Sequence, residues 1–252
     1  MALPKLSIIV PYRDRAEHLQ RFLPHVVTYF QRDKIDKDIP VNITIVEQVA
    51  GKPFNRGALR NIGVRLNPDA DYYCFHDVDY LPIWADYSFP DAPTRIIWYG
   101  ANVKPITPGS TETIPERYET FFGGVILMRR QHVLQVNGYP NDYWGWGWED
   151  AELRARCIAE DLPIQYRDGT FEALPHVNQG FTTGLKPTEA NERNHATLNA
   201  RIEEMQASKA PYKDNGVSTV KFEIIERKRP RDQHGNEAAN IEKVTVDFEL
   251  AP

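Results

Sequence analysis

Several groups of residues in this 252-residue chain have side chains suited to chemistry. Asp77-Val78-Asp79 follows the apolar run Asp71 to His76 (DYYCFH). Two carboxylates two residues apart project to one side of an extended chain, and hard oxygen donors suit Mn²⁺ or Mg²⁺ carrying a diphosphate. Arg13, Arg15 and Arg56 stand at two other junctions where an apolar run gives way to a helical pattern. Any one of them reads better as solvated surface charge. Three together could grip phosphate or a base. In Trp144-Gly145-Trp146-Gly147-Trp148-Glu149-Asp150, tryptophans alternate with glycines and lead into two carboxylates. Glycines let a loop move at the expense of packing. Indole faces suit sugar rings, and a carboxylate at the loop's end is placed to take a proton from a hydroxyl. His176 is a candidate neutral metal ligand, although a lone histidine is more often structural.

These residues need a frame. Lys5 to Val10 and Val41 to Val46 are apolar runs of the kind that form buried parallel strands, as is Asp71 to His76. Between them, residues 15–32 and 54–66 repeat apolar side chains at helical spacing, with Pro24 expected to kink or shorten the first helix. Strand, helix, strand, helix, strand predicts an α/β fold: an open, mostly parallel sheet flanked by helices. In such sheets ligands bind beyond the carboxyl ends of the strands, where Asp77 and the arginines fall. Farther on, the pattern predicts a strand at 122–128 and a short helix at 129–137. A loop at 141–148 and helices at 149–160 and 188–208 follow. Alternating runs at 217–226 and 241–250 predict a C-terminal hairpin packed on the domain.

Composition narrows the field. Hydrophobic residues make up 41% of the chain and charged residues 26%, ordinary for a globular protein with a substantial core. The net charge of −5 argues against nucleic acid or anionic lipid as partners, so any phosphate site must be a local basic cluster. Cys74 and Cys157 read as buried free thiols rather than a disulfide. No signal-peptide layout or membrane-length apolar run is seen, so the expected setting is cytoplasmic, or that of a soluble catalytic domain. A Walker loop, a G-x-G-x-x-G fingerprint and a G-x-S-x-G elbow are all absent.

Taken together, Val10-Pro11-Tyr12-Arg13-Asp14-Arg15, Phe54-Asn55-Arg56, His76-Asp77-Val78-Asp79, Phe122-Gly123-Gly124-Val125, Asn137-Gly138-Tyr139-Pro140 and Tyr143-Trp144-Gly145-Trp146-Gly147 with Glu149-Asp150 resemble the β-1,4-galactosyltransferase family. The likeness runs nearly the full length. Asp86 to Pro90 and Gly216 to Phe222 are most similar to the branch that galactosylates xylose. The resemblance implies a single domain over 1–252 with the glycosyltransferase-A fold. Residues 1–80 would form its nucleotide-binding half, and 81–252 its acceptor-binding half with the hairpin. It implies inverting transfer from UDP-galactose to a glycan or glycoside acceptor, with Mn²⁺ or alternatively Mg²⁺.

By residue, the resemblance assigns the nucleotide sugar to Pro11, Arg13, Arg15, Phe54, Arg56, Asp77, Val78, Tyr118, Phe121, Gly124 and Trp146. Asp79 and His176 would ligate the metal, with Asn178 as a third candidate. Asp150 would be the base, with Glu149 near the donor sugar. Trp146, Asp150 and Glu152 would serve the acceptor. Bulky Phe121 favours galactose over N-acetylgalactosamine. Ala151 replaces a carboxylate the family uses on its acceptor, which leaves acceptor identity open. That loss, with an incomplete metal set, also keeps open a sugar-binding protein without turnover.

Overall fold

In a computed structural model of the chain, the described residues are 3–32, 39–97, 122–175, 189–230 and 240–248. The strands are β1 (Leu6–Tyr12), β2 (Val41–Gln48), β3 (Tyr72–His76), β4 (Tyr80–Ala85), β5 (Thr94–Arg95), β6 (Val125–Arg129), β7 (Gln165–Tyr166), β8 (Gly169–Ala173), β9 (Phe222–Lys228) and β10 (Ile241–Phe248). The helices are α1 (Ala16–Arg32), α2 (Arg56–Leu66), α3 (Arg130–Gln135), α4 (Glu149–Ala159) and α5 (Glu189–Gln206). Eight strands form one sheet in the order β7-β5-β6-β3-β1-β2-β10-β9, and β4 pairs with β8 in a small second sheet.

β1 lies at the centre, parallel to β2 on one side and to β3 on the other. Its residues are all buried because both sheet faces are covered. Leu6, Ile8 and Val10 pack with Phe22 and Val26 of α1, whereas Ile9 packs with Leu59 and Ile62 of α2. The chain leaves β1 toward β2 and returns past it to β3, so the connection reverses between β1 and β3. Such a reversal opens a crevice at the strand ends, and Arg13 and Asp77 follow those two ends directly.

The structure departs from the sequence reading in three places. Pro24 neither ends nor shortens α1, which runs on to Arg32. An interior proline costs about 3 kcal/mol, and here the buried stripe of Phe22, Val26 and Tyr29 offsets it. His25 adds a 2.7 Å contact to the Pro82 carbonyl. The expected C-terminal hairpin is present, with β9 antiparallel to β10, but it joins the central sheet instead of packing on it: β10 pairs in parallel with β2. Finally, β4 and β8 lie in stretches broken by proline or left unassigned, where no periodicity announces a strand. Their pairing brings Leu174 N to the Asp79 carbonyl at 2.7 Å.

Candidate active site

α2 supplies the basic wall. Asn55 caps it, its side chain accepting from Ala58 N at 2.9 Å and donating to the Asn141 carbonyl at 2.7 Å. Gly57 lets the helix approach the segment from 139 to 141: a Cβ there would stand 2.4 Å from the Pro140 carbonyl oxygen. Arg56 and Arg60, one turn apart, therefore project together. Arg60 escaped the sequence reading, although the four-residue step from Arg56 along the helix was the available signal.

The acidic wall comes from two elements. Asp77 follows β3, and its N–H donates to the Gly124 carbonyl at 3.0 Å. Gly124 has φ +83° and leaves Tyr80 little room for a side chain, so a glycine suits this turn. Glu149 and Asp150 open α4, where the helix dipole favours acidic groups. Arg56 donates to Glu149, to Asp77 Oδ2 at 3.0 Å and to Asp150 Oδ2 at 3.1 Å. Arg60 donates to Asp150 Oδ1 at 2.5 Å and Asp77 Oδ1 at 2.7 Å, with its guanidinium 4.6 Å from the centre of the Tyr139 ring.

Two arginines thus serve three largely buried carboxylates, and the cluster is short of positive charge. Burial pushes the Asp150 carboxyl up to about 6; Arg60 opposes this, and Glu149 reinforces it. Burial acts the same way on Asp77, but Arg56 and Arg60 outweigh it and hold that carboxyl below its ordinary value. Burial also works against the Arg56 charge, yet Glu149, Asp77 and Asp150 raise its pKa well above normal. A carboxylate poised near neutrality beside one that stays ionised suits general-base work.

The nearby arginines line the mouth. Arg13 lies over the Phe54 ring at 5.4 Å and donates to the Lys52 carbonyl at 2.6 Å. Arg15 stands 3.4 Å from the Asp79 carboxylate, which is 13% exposed. His18, also missed in the sequence, touches Arg15 at 3.3 Å and the Pro175 carbonyl at 3.1 Å.

The tryptophan loop divides its labour. Trp144 is core, packed on Phe248. Trp146 is half-buried. Trp148 caps α4 from a left-handed backbone (φ 77°) and stacks on His195 at 4.2 Å between ring centres. α5 grips the loop. Asn194 donates to the Trp144 and Gly147 carbonyls, and Asn191 to that of Trp146, each at 3.2 Å. These asparagines gave no sequence signal, because only the fold brings α5 against the loop.

The assigned residues do not all meet. Arg56, Asp77, Glu149 and Asp150 form one cluster, with Gly124 bonded to Asp77 through the backbone. Pro11 is buried within β1. Val78 is buried in the apolar layer beside α1, so its side chain serves packing rather than the donor. Glu152, expected on the acceptor, is fully buried and pairs with Arg156 at 2.6 Å. Leaving that pair would strand a buried charge. Tyr118, Phe121, His176 and Asn178 lie outside the described residues. Among the described residues no group of three or more His, Cys, Asp or Glu side chains could hold a metal ion.

Residues 1–88 match the model of the N-terminal region of glycosyl transferase group 7, and residues 109–179 one described as the N-terminal domain of galactosyltransferase. Together these segments make up more than half of the chain. Beta-1,4-galactosyltransferase 7 of Drosophila melanogaster is 30% identical over 88% of this chain and 63% of its own length. Beta-1,4-galactosyltransferase 4 of Mus musculus is 30% identical over 98% and 64%. This chain therefore spans less than two thirds of the length of these curated relatives. The crystal structure of the catalytic domain of the fly galactosyltransferase 7 in complex with xylobiose superimposes with a TM-score of 0.72 at 25% identity, covering 99% of this chain and 96% of that one.

The fold is that of a glycosyltransferase-A-type domain. More narrowly, the chain belongs to the β-1,4-galactosyltransferase family, glycosyltransferase family 7. No helix among the described residues is long and apolar enough to cross a membrane.

Proposed function

We propose that the chain transfers galactose from UDP-galactose to a sugar hydroxyl with inversion, forming a β-1,4 linkage. The observation that carries this reading is the cluster at the end of β3, where Arg56 and Arg60 join Asp77 to Asp150. Arg56, with Arg13 and Arg15 nearby, supplies positive charge for a diphosphate. Asp150, whose carboxyl burial pushes up to about 6, is the group suited to take the acceptor proton. A base of this kind contributes about 10²- to 10⁴-fold to rate. Tyr118, Phe121 and Trp146 are proposed to complete the donor pocket, with Glu149 and Asp77 beside its sugar.

Asp79 is a hard, partly buried carboxylate just beyond β3, which fits a divalent cation of the Mn²⁺ or Mg²⁺ kind. With His176 and Asn178 it is proposed to hold that ion. When bound, the ion adds positive charge against the leaving diphosphate. In the chain's own relatives, one crystal structure of a variant of the fly enzyme holds manganese, UDP-Gal and xylobiose. For the acceptor we propose a β-xyloside ahead of an N-acetylglucosaminide, on the strength of Asp86 to Pro90 and Gly216 to Phe222.

The decisive experiment is an acceptor screen with UDP-galactose and Mn²⁺ on purified protein, run with Asp150→Asn and Asp79→Ala. Transfer to xylosides is expected for the parent chain. Asp150→Asn should bind UDP normally and transfer about 10²- to 10⁴-fold more slowly. Asp79→Ala should abolish the stimulation by added metal. Glycan binding with neither transfer nor donor hydrolysis would overturn the reading in favour of a sugar-binding protein.

A further inference from the structure

Arg60 belongs to the cluster without a task of its own in the reaction so far, yet it is the most deeply buried charge there. Its side chain is 0% exposed, against 23% for Arg56. Both lie near Glu149 Oε1, Arg60 at 3.8 Å, but on Asp150 and Asp77 the oxygens they use do not overlap. Arg60 takes Oδ1 of both Asp150 and Asp77, and Arg56 takes Oδ2 of both. The same pair of carboxylates is therefore held twice, once from inside and once from the solvent side. The inner arginine is backed by the face of Tyr139 and has no exit. The outer one begins α2 and borders the crevice.

We propose that Arg60 is a positioning residue, the fixed half of a two-arginine clamp that holds Oδ1 of Asp150 and Asp77, while Arg56 is the exchangeable half. This rests on Asp150 being the base. When Arg56 turns to a donor diphosphate, Oδ2 of Asp150 loses its partner and faces the crevice. Oδ1 stays on Arg60, so the carboxylate keeps its place. The acceptor hydroxyl proton then passes to Oδ2 as the hydroxyl oxygen bonds to the anomeric carbon. The bond from that carbon to the diphosphate breaks, and UDP leaves with the electron pair. The groups facing Asp150 are Arg56 and Arg60 from α2, Asp77 from β3, Glu149 from its own helix, and Tyr139. Losing the Arg56 contact makes Asp150 a stronger base when the donor is present, and Arg60 keeps it from being protonated outright.

The test compares Arg60→Met, Arg60→Lys and Asp150→Asn with the parent chain. Each is assayed with UDP-galactose, Mn²⁺ and a β-xyloside across pH, and circular dichroism checks folding. Folded Arg60→Met should lower kcat about 100-fold, in the range of a displaced general base. It should leave KM for UDP-galactose within about threefold, since of the two clamp arginines only Arg56 meets the diphosphate. Its kcat/KM profile should lose activity at a higher pH than the parent's, because the charge opposing protonation of Asp150 is gone. Arg60→Lys keeps the charge without the fork, so its acid limb should stay near the parent's while kcat falls about tenfold. A structural role alone would not separate those two readouts.

Parent-like kcat and acid limb in folded Arg60→Met would overturn the clamp. So would a defect confined to the donor KM, which would make Arg60 a donor-binding group. If Arg60→Met does not fold, Arg60→Lys decides: parent-like kcat overturns the proposal, and a lowered kcat with unchanged donor KM supports it. Near-normal transfer by Asp150→Asn removes the base assignment itself. An inert Asp150→Asn beside an unaffected Arg60→Met removes the clamp alone.

Discussion

Asp150 and Asp77 share the same two arginines, yet burial and charge drive them in opposite directions. Asp150 is pushed up to about 6, and a base must be unprotonated to work. The kcat/KM profile of the free enzyme should therefore fall with decreasing pH below about 6, tenfold per unit, and level off above it. A pH titration of initial rates checks this; a profile flat down to pH 5 would remove Asp150 from the proton transfer. The same shifts act on stability with opposite signs. The raised Asp150 carboxyl favours the folded state below its unfolded value, and that contribution disappears as pH rises through about 6. The lowered Asp77 carboxyl contributes above its unfolded value and loses that contribution as pH falls through its folded value. At this scale the sequence was most informative about residues at strand and helix ends. Arg56, Asp77, Glu149 and Asp150 all sit where an apolar pattern stops, and each joins the cluster. Glu152 was misread because it lies in the same first turn as Asp150. Only the packing of α4 shows that Glu152 faces Arg156 and Arg201.

Helices α2 and α5 control how rigidly those residues are held. Asn194 is 2% exposed, and its amide serves two loop carbonyls. Asn194→Ala would leave both without that partner, at a cost of about 1–3 kcal/mol for each buried group left unpaired. Denaturant unfolding should show the loss, and KM for the acceptor should rise as the loop loosens. Gly57→Ala would drive a methyl group into the Pro140 carbonyl. Backbone cannot yield as a side chain tip does, so α2 must shift, at about 1–3 kcal/mol. Because Arg56 adjoins Gly57, transfer should fall by more than that stability loss explains. Parent-like activity in a folded Gly57→Ala protein would mean the cluster tolerates helix movement. Helix periodicity revealed α2 well, including Leu59 and Ile62. It misled at Pro24, because local cost was weighed without the burial that offsets it. It was silent on β4 and β8, whose short runs are held by each other and not by any repeat of their own.

At the scale of the whole molecule, β10 closes one flank of the sheet that carries β1 and β3. Val217, Val220, Val244, Val246 and Phe248 are all buried in the layer shared with α2. Burying each such side chain is worth about 1.5–3 kcal/mol, so the five together are comparable with the typical net stability of a domain, about 5–15 kcal/mol. A chain ending before Val217 should therefore fail to fold, as read by circular dichroism and limited proteolysis. A folded, active truncation would show that the hairpin is dispensable for the fold. The outer strand, β9, is guarded against further pairing: Thr245 faces Glu226 and Val246 faces Ile224, which leaves Ile225 as a bulge. Bulges and charged side chains such as Arg227 and Lys228 discourage a sheet edge from accepting another chain.

Cys74 lies in β3 and Cys157 in α4; both are buried, and burial raises the pKa of each thiol. A thiol kept protonated and out of water is a poor nucleophile. The folded protein should thus resist alkylating reagents, and each cysteine becomes a timer for the opening of its own element. Labelling of Cys157 ahead of Cys74 would say that the helix bearing the proposed base detaches before the sheet does.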